Sequence, residues 1–220
     1  MATLVTKKIV VLLSGNGSNL QAMIDKVHNT ELNNQRVEIV AVLSNKADAY
    51  GLQRAQDAGI PNQVIISKGI ASREQYDTLL IAAIEQYQPD LIVMAGFMRI
   101  LTAQFIDKYQ GRMLNIHPSL LPKYQGLNTH QRAIDAGDSE HGASVHFVTE
   151  ELDSGATVLQ AKVPIFAEDN AEDLAERVLT QEHLIYPLAA QWFLSGRLSM
   201  VNNQAVLDGV VLPVNGYAAD

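Results

Sequence analysis

Cysteine is absent from the 220 residues, which excludes disulfides, thiolate nucleophiles and cysteine-bound zinc. Positive charge is scarce: 16 Lys and Arg stand against 24 Asp and Glu, for a net charge of −8. No run is basic, so a general nucleic-acid surface is not expected, because neutralising phosphates takes clustered Lys and Arg. Apolar runs stay short of the roughly 20 residues of a membrane span. Lys7 and Lys8 follow the first apolar residues and lead straight into a strand-like run, the reverse of a signal peptide's order. The expectation is a cytoplasmic protein with no membrane and no nucleic-acid partner.

Several chemical signatures are also missing. There is no G-x-x-x-x-G-K-[ST] string for a Walker-type NTPase and no G-x-S-x-G elbow for a serine hydrolase. The six histidines, His28, His117, His130, His141, His146 and His183, form no H-x-H or H-E-x-x-H set, so no metal is expected. The turn Ser14-Gly15-Asn16-Gly17-Ser18-Asn19 departs from the dinucleotide fingerprint at its third glycine. The second strand-like run ends in Ser44-Asn45-Lys46, where an NAD site carries Asp or Glu. Ser-Asn-Lys would suit the 2′-phosphate of NADP, which keeps an oxidoreductase as an alternative.

What is present describes a folded chain. Hydrophobic residues make up 47% and charged residues 18%, values of a globular protein long enough for one well-buried domain. Apolar, β-branched runs at 9–13, 37–43, 63–66, 91–95 and 113–116 alternate with helical periodicity at 20–27, 50–58, 72–86 and 102–109. That alternation predicts an α/β fold, a mostly parallel twisted sheet with helices on both faces. After His117 the pattern changes. Strands are expected at 143–149 and 157–164, adding antiparallel members, followed by a helix over 171–194 interrupted by Pro187 and a small hairpin with turns at Asn202-Asn203 and Asp208-Gly209. Ser18 with Gln21 reads as a capping box for the first helix. No linker divides the chain, so 1–220 is one domain, with an N-terminal half at about 7–110 and a C-terminal half at about 111–220.

Four places carry candidate chemistry. Asn115 and His117 lie two apart on a strand, so their side chains share a surface. The amide can donate to an oxygen that becomes negative and the imidazole can transfer a proton, which is what attack on an acyl carbon needs. By type alone, Asn also caps turns and His beside Pro also serves structure. The turn 14–19 suits an anion such as a monophosphate at a helix start, or is a tight strand-to-helix turn. Asp153 lies in Leu152-Asp153-Ser154-Gly155, where Asp commonly bonds local backbone. Glu182 falls among Leu174, Val178, Ile185, Ala189 and Trp192 on one face of the long helix, where a carboxylate either pairs at an edge or meets a ligand.

The string Asn115-Ile116-His117-Pro118-Ser119-Leu120-Leu121-Pro122, continued by Lys123-Tyr124-Gln125-Gly126, resembles the signature of the folate-dependent formyltransferases, in the manner of the phosphoribosylglycinamide (GAR) formyltransferase family of purine synthesis. The resemblance extends from the run 9–19 through Ser44-Asn45-Lys46-Ala47-Asp48-Ala49 and His141-Gly142-Ala143-Ser144-Val145-His146 to Gly216-Tyr217-Ala218-Ala219-Asp220. Gln125 and Asn128 stand where relatives often carry other residues, and a few extra residues precede the first strand.

The resemblance implies a Rossmann-like formyltransferase fold and transfer of the formyl group of 10-formyltetrahydrofolate, a co-substrate, to the amine of GAR without a metal. It implies Asn115, His117 and Asp153 as catalytic residues, the Asp beside the His to organise the proton path. Gly17, Ser18 and Asn19 would hold the phosphate, and Leu179, Thr180, Gln181 and Glu182 the ribose and glycinamide end. Arg73, Met98, Arg99, Ile100 and Leu101, with Asn115, would bind folate. A monomer or weak homodimer is expected. Rival readings share the site: a formyltetrahydrofolate deformylase, which usually carries an N-terminal regulatory domain, and a methionyl-tRNA formyltransferase, which needs a basic C-terminal one. A phosphate-sensing module without catalysis would leave Asn115, His117 and Asp153 unexplained.

Overall fold

The computed structural model describes residues 5–218. Residues 1–4, on which the signal-peptide reading partly rests, and the closing Ala219 and Asp220 of the resemblance lie outside the described residues. In chain order the elements are β1 (Thr6–Leu13), α1 (Ser18–Lys26), β2 (Thr30–Leu32), β3 (Gln35–Ser44), α2 (Tyr50–Asp57), β4 (Asn62–Val64), α3 (Arg73–Glu85), β5 (Leu91–Met94) and α4 (Ala103–Lys108). There follow β6 (Met113–His117), α5 (Thr129–Asp135), β7 (Glu140–Phe147), β8 (Thr157–Pro164), α6 (Ala171–Leu194), β9 (Leu198–Val201), β10 (Gln204–Leu207), β11 (Val210–Val211) and β12 (Tyr217–Ala218).

The main sheet runs β12-β8-β7-β6-β5-β1-β3-β2, with β4 also paired to β3. The pairs β1–β3, β1–β5, β3–β4 and β5–β6 are parallel, and β6–β7 and β7–β8 are antiparallel. The expected mostly parallel sheet with antiparallel strands added after His117 is therefore present. β1 shows why its sequence is apolar at successive positions, since Ile9, Val10, Val11, Leu12 and Leu13 are all fully buried. Period-two alternation sends Ile9, Val11 and Leu13 to a core shared with α1 and α6. It sends Val10 and Leu12 to a second core under α3 and α4. Helices thus cover both faces.

Four local expectations need correction. The run 63–66 yields only β4 (Asn62–Val64), paired to β3, with Asn62 and Gln63 exposed and Ile66 outside it at 55% exposure. α1 begins at Ser18, and its N-cap is Gly17 at φ 75° with no side-chain cap bond, so the Ser18–Gln21 capping box is not formed. Only glycine fits there on two counts, since φ is positive and a Cβ would meet the Gly51 Cα of α2 at 2.6 Å. The long helix is not interrupted at Pro187 but runs unbroken through it. Proline removes the bond to the carbonyl four residues back, and Lys26 Nζ donates to that His183 carbonyl at 2.8 Å instead. Finally, the tail is more than a hairpin: β9, β10 and β11 form an antiparallel meander. Its turns are the expected ones, with Asn202, Asn203, Asp208 and Gly209 all at positive φ, as primed turns require.

Candidate active site

The carboxyl ends of β1, β5 and β6 lie side by side in the sheet, and the candidate residues follow from that alignment. Asn115 and His117 are on β6, whose register sets Asn115 opposite His146 of β7 and His117 opposite Ser144. The next turn, between β7 and β8, carries Asp153 at φ 50°. Its carboxylate reaches back over the strands. Oδ2 is 3.4 Å from His117 Nδ1 and accepts from the Gly126 N–H at 2.9 Å, while Oδ1 is 3.8 Å from His146 Nε2. The structure therefore brings together the three residues expected to be catalytic.

Each member is held by a second contact. His117 is 6% exposed, and its Nε2 lies 2.9 Å from the Tyr124 carbonyl. A carbonyl only accepts, so Nε2 carries a proton, and the other ring nitrogen is the one that faces Asp153. Asn115 Nδ2 lies 3.1 Å from His146 Nε2, and His146 Nδ1 lies 2.8 Å from the Phe147 carbonyl. That carbonyl fixes the tautomer: Nδ1 donates, Nε2 accepts one amide hydrogen of Asn115, and the other amide hydrogen is left for a ligand. Burial lowers the pKa of His146 below the ordinary imidazole value, in keeping with a neutral ring. His146 was not among the residues singled out as site members from sequence. Spacing rules for metals could not find it, because its place here comes from cross-strand register with Asn115.

The turn 14–19 forms the second part. Gln21 N–H closes onto the Gly17 carbonyl at 2.9 Å, so the amides at the very start of α1 precede the first helical bond and are available to an anion. No acidic residue stands in that first turn. Arg54 binds the Asn16 carbonyl at 2.9 Å and the Asn16 Oδ1 at 3.1 Å, placing positive charge beside the turn in a chain that is net acidic.

Asn19 and Glu182 are 163 positions apart in sequence and meet here. Asn19 Nδ2 donates to Glu182 Oε2 at 2.7 Å. Both side chains are buried, and Asn19 Oδ1 has no partner. Burial pushes the Glu182 carboxyl above its usual range, with the Asn19 hydrogen bond opposing the shift. Leu179, Thr180 and Gln181 complete the same helical turn. Leu179 and Gln181 are half-buried, and Thr180 is exposed with its hydroxyl on the Glu176 carbonyl.

The loop after β5 forms the third part. Met98 and Ile100 are exposed at 63% and 56%, whereas Leu101 packs into the α3/α4 core with Phe97, Met113 and Val148. Two apolar side chains are thus left in solvent beside a buried one, an exposed apolar patch next to the sheet's carboxyl end. Arg99 lies over the Tyr76 ring, 4.0 Å from its centroid, and its Nε is buried without a partner. Arg73 is exposed at the first position of α3. A cleft of about 450 Å³, lined by Gln125, Asp153, Ala205, Leu212 and Val214 among others, brings the meander up to the Asp153 turn. Among the described residues no three His, Asp or Glu side chains converge in a way that could hold a metal ion, and no helix is long and apolar enough to cross a membrane.

Residues 7–190 match the family model described as formyl transferase. The chain is 58% identical over 212 residues to phosphoribosylglycinamide formyltransferase of Escherichia coli (strain K12), covering 96% of this chain and 99% of that protein. It is 48% identical over 190 residues to the trifunctional purine biosynthetic protein adenosine-3 of Chironomus tentans, covering 86% of this chain and 14% of that protein. Among solved structures, phosphoribosylglycinamide formyltransferase from Coxiella burnetii in complex with CHES superposes with a TM-score of 0.92 at 51% identity, over 98% of this chain and 100% of that one.

Proposed function

The chain belongs to the formyl transferase family, and from that premise we propose that it moves the formyl group of 10-formyltetrahydrofolate to the amine of GAR, yielding formyl-GAR and tetrahydrofolate for purine synthesis. The chain is a formyltransferase, and its formyl donor is folate-derived. The observation that carries the finer reading is the joining of three parts at one sheet edge. An anion-ready helix start is linked to Glu182, exposed apolar Met98 and Ile100 follow β5, and Asn115, His117 and Asp153 lie on β6 and the turn after β7. A phosphate-sensing module would need only the first of these.

The chemistry follows from placement. The phosphate of GAR docks on the amides of Gly17, Ser18 and Asn19, and the ribose and glycinamide end lies toward Glu182 and the turn from Leu179. The pterin lies against Met98, Arg99, Ile100 and Leu101, with Arg73 toward the folate tail. The amine attacks the formyl carbon and the carbonyl electrons move onto oxygen. The amide hydrogen of Asn115 not used by His146 donates to that oxygen, with the His117 ring, two positions along the same strand face, beside it. The proton lost from the amine passes by way of His117 and Asp153 to the departing folate nitrogen, and the oxyanion re-forms the carbonyl as the C–N bond to folate breaks with its electron pair on that nitrogen. Holding both substrates in attack geometry contributes roughly 7–11 kcal/mol in favourable intramolecular cases. A cytoplasmic setting, with small molecules as the only partners, fits this role.

The test is a direct assay. Purified protein with 10-formyltetrahydrofolate should form tetrahydrofolate only when GAR is added, with formyl-GAR in equal amount. Tetrahydrofolate and formate without GAR would instead mean a deformylase, and neither product would remove the catalytic reading.

A further inference from the structure

Ser14 stands at a junction that the reaction above does not use. It follows β1, which lies between β5 and β3 in the sheet. Its side chain is 4% exposed, and its hydroxyl works in both directions: it donates to Asn45 Oδ1 at 2.5 Å and accepts from the Met98 N–H at 2.8 Å. Its own backbone N–H donates to the Gly96 carbonyl at 3.1 Å. One buried hydroxyl thus ties together the turn that opens the phosphate site, the loop that carries Met98 after β5, and the segment Asn45-Lys46 after β3.

The ordinary explanations for a serine here do not apply. It does not cap α1, whose N-cap is Gly17. Nor does the turn need it for attachment to α2, since the Gly51 N–H already donates to the Gly15 carbonyl at 3.1 Å and Arg54 holds Asn16. What Ser14 adds is a link toward the opposite side, to the backbone that would flank the formyl donor. Asn45 steadies the link: it is 8% exposed, and with its carbonyl oxygen on the Ser14 proton, the serine lone pairs face the Met98 amide.

We infer that Ser14 is a positioning residue that sets the separation between the acceptor-binding turn and the donor-binding loop. The inference rests on the proposed formyl transfer. Ser14 touches neither substrate in that reading, and each loop keeps its own contacts without it. What it controls is their relative placement. For transfer between two separately bound reactants, a displacement of about 1 Å costs on the order of 10²-fold in rate. Deleting the hydroxyl leaves the partly buried Met98 N–H and the buried Asn45 carbonyl oxygen without their shared partner, so the two loops must shift or admit water.

Steady-state kinetics with both substrates varied, on wild type, Ser14→Ala and Asn45→Ala, tests this. At saturation with both substrates, kcat of Ser14→Ala should fall by roughly 10- to 100-fold. KM for either substrate should stay within about threefold, because neither binding surface is removed. The double variant should be no slower than the slower single one, since both changes break one junction. Unchanged kcat, or a raised KM with kcat kept, would overturn the inference. Wild type lacking GAR-dependent turnover would instead sink the proposed function. If the variants do not fold, hydrogen exchange of the Met98 amide in wild type decides. GAR alone should slow it, because fixing the turn steadies the Ser14 hydroxyl, and an unaltered exchange rate would refute the link.

Discussion

His117 and Asp153 belong to different segments and meet through a side chain at 3.4 Å, so either can be changed without disturbing the strands that present them. His117→Ala and Asp153→Asn should each lower kcat by about 10²- to 10⁴-fold, the usual loss for one acid–base contributor. Far-ultraviolet dichroism should be unaltered, and near-wild-type turnover by either variant would remove the assigned roles. Glu182 offers a test with a pH sign. Burial raises its folded pKa above the ordinary 4.5, so the native state holds the proton more tightly than the unfolded chain. Its contribution to stability is complete below 4.5 and is lost as pH rises through the raised value. Glu182→Gln escapes that loss. Compared with wild type it should melt higher at pH 7, with the gain vanishing toward pH 4, and bind GAR more weakly. A gain of ~1 kcal/mol reads as about 2–4 °C in a chain of this size, and calorimetry at the two pH values checks it. An equal difference at both would mean that ionisation is not the cause.

At the scale of elements, the close approach of Gly17 to Gly51 gives α1 and α2 a shared constraint. A side chain at Gly17 would meet the Gly51 Cα at 2.6 Å and would also have to hold φ 75°. Gly17→Ala should therefore lower both Tm and GAR affinity, whereas Ser18→Ala should leave Tm nearly unchanged and weaken GAR binding alone. Calorimetry beside titration separates them, and equal Tm losses would show that Ser18 is also structural. These same elements show what local sequence could reveal. Four of the five apolar runs became strands buried on both faces, a pattern that needs no long-range information to be recognised, whereas the run 63–66 gave only the short, largely exposed β4. Asn115 and His117 were legible for the same reason, since alternation along a strand is local. The Ser18 capping box failed because the helix starts one residue earlier than that reading requires, with Gly17 as N-cap and Ser18 already inside the first turn. α6 runs on through Pro187 with Lys26 of α1 donating to the freed His183 carbonyl, a partner that no pattern within the helix announces. α5 was missed because it is 7 residues long and begins after Asn128 at φ 57°, without a side-chain cap bond to mark it. His146 and the Asn19–Glu182 contact entered only through the order of strands and helices in space.

The whole molecule is organised by β1, whose alternate residues enter different cores. Leu13 belongs to the core beneath α1 and α6, and Leu12 to the one beneath α3 and α4. The two halves of the sequence, near 7–110 and 111–220, are crossed by the same logic. β5 of the first pairs with β6 of the second, and α6 packs against α1. A boundary at residue 110 would have to break a parallel strand pair and a shared core, so the chain should unfold as one cooperative unit. Leu12→Ala and Leu13→Ala, on opposite faces, should each cost ~2–5 kcal/mol, the range for a fully buried leucine. Both should move the same single transition, with calorimetric and van't Hoff enthalpies that agree, as in two-state unfolding. Two transitions, one responding to Leu12→Ala and the other to Leu13→Ala, would show that the faces melt independently. The single-domain reading would then give way to two units sharing a sheet.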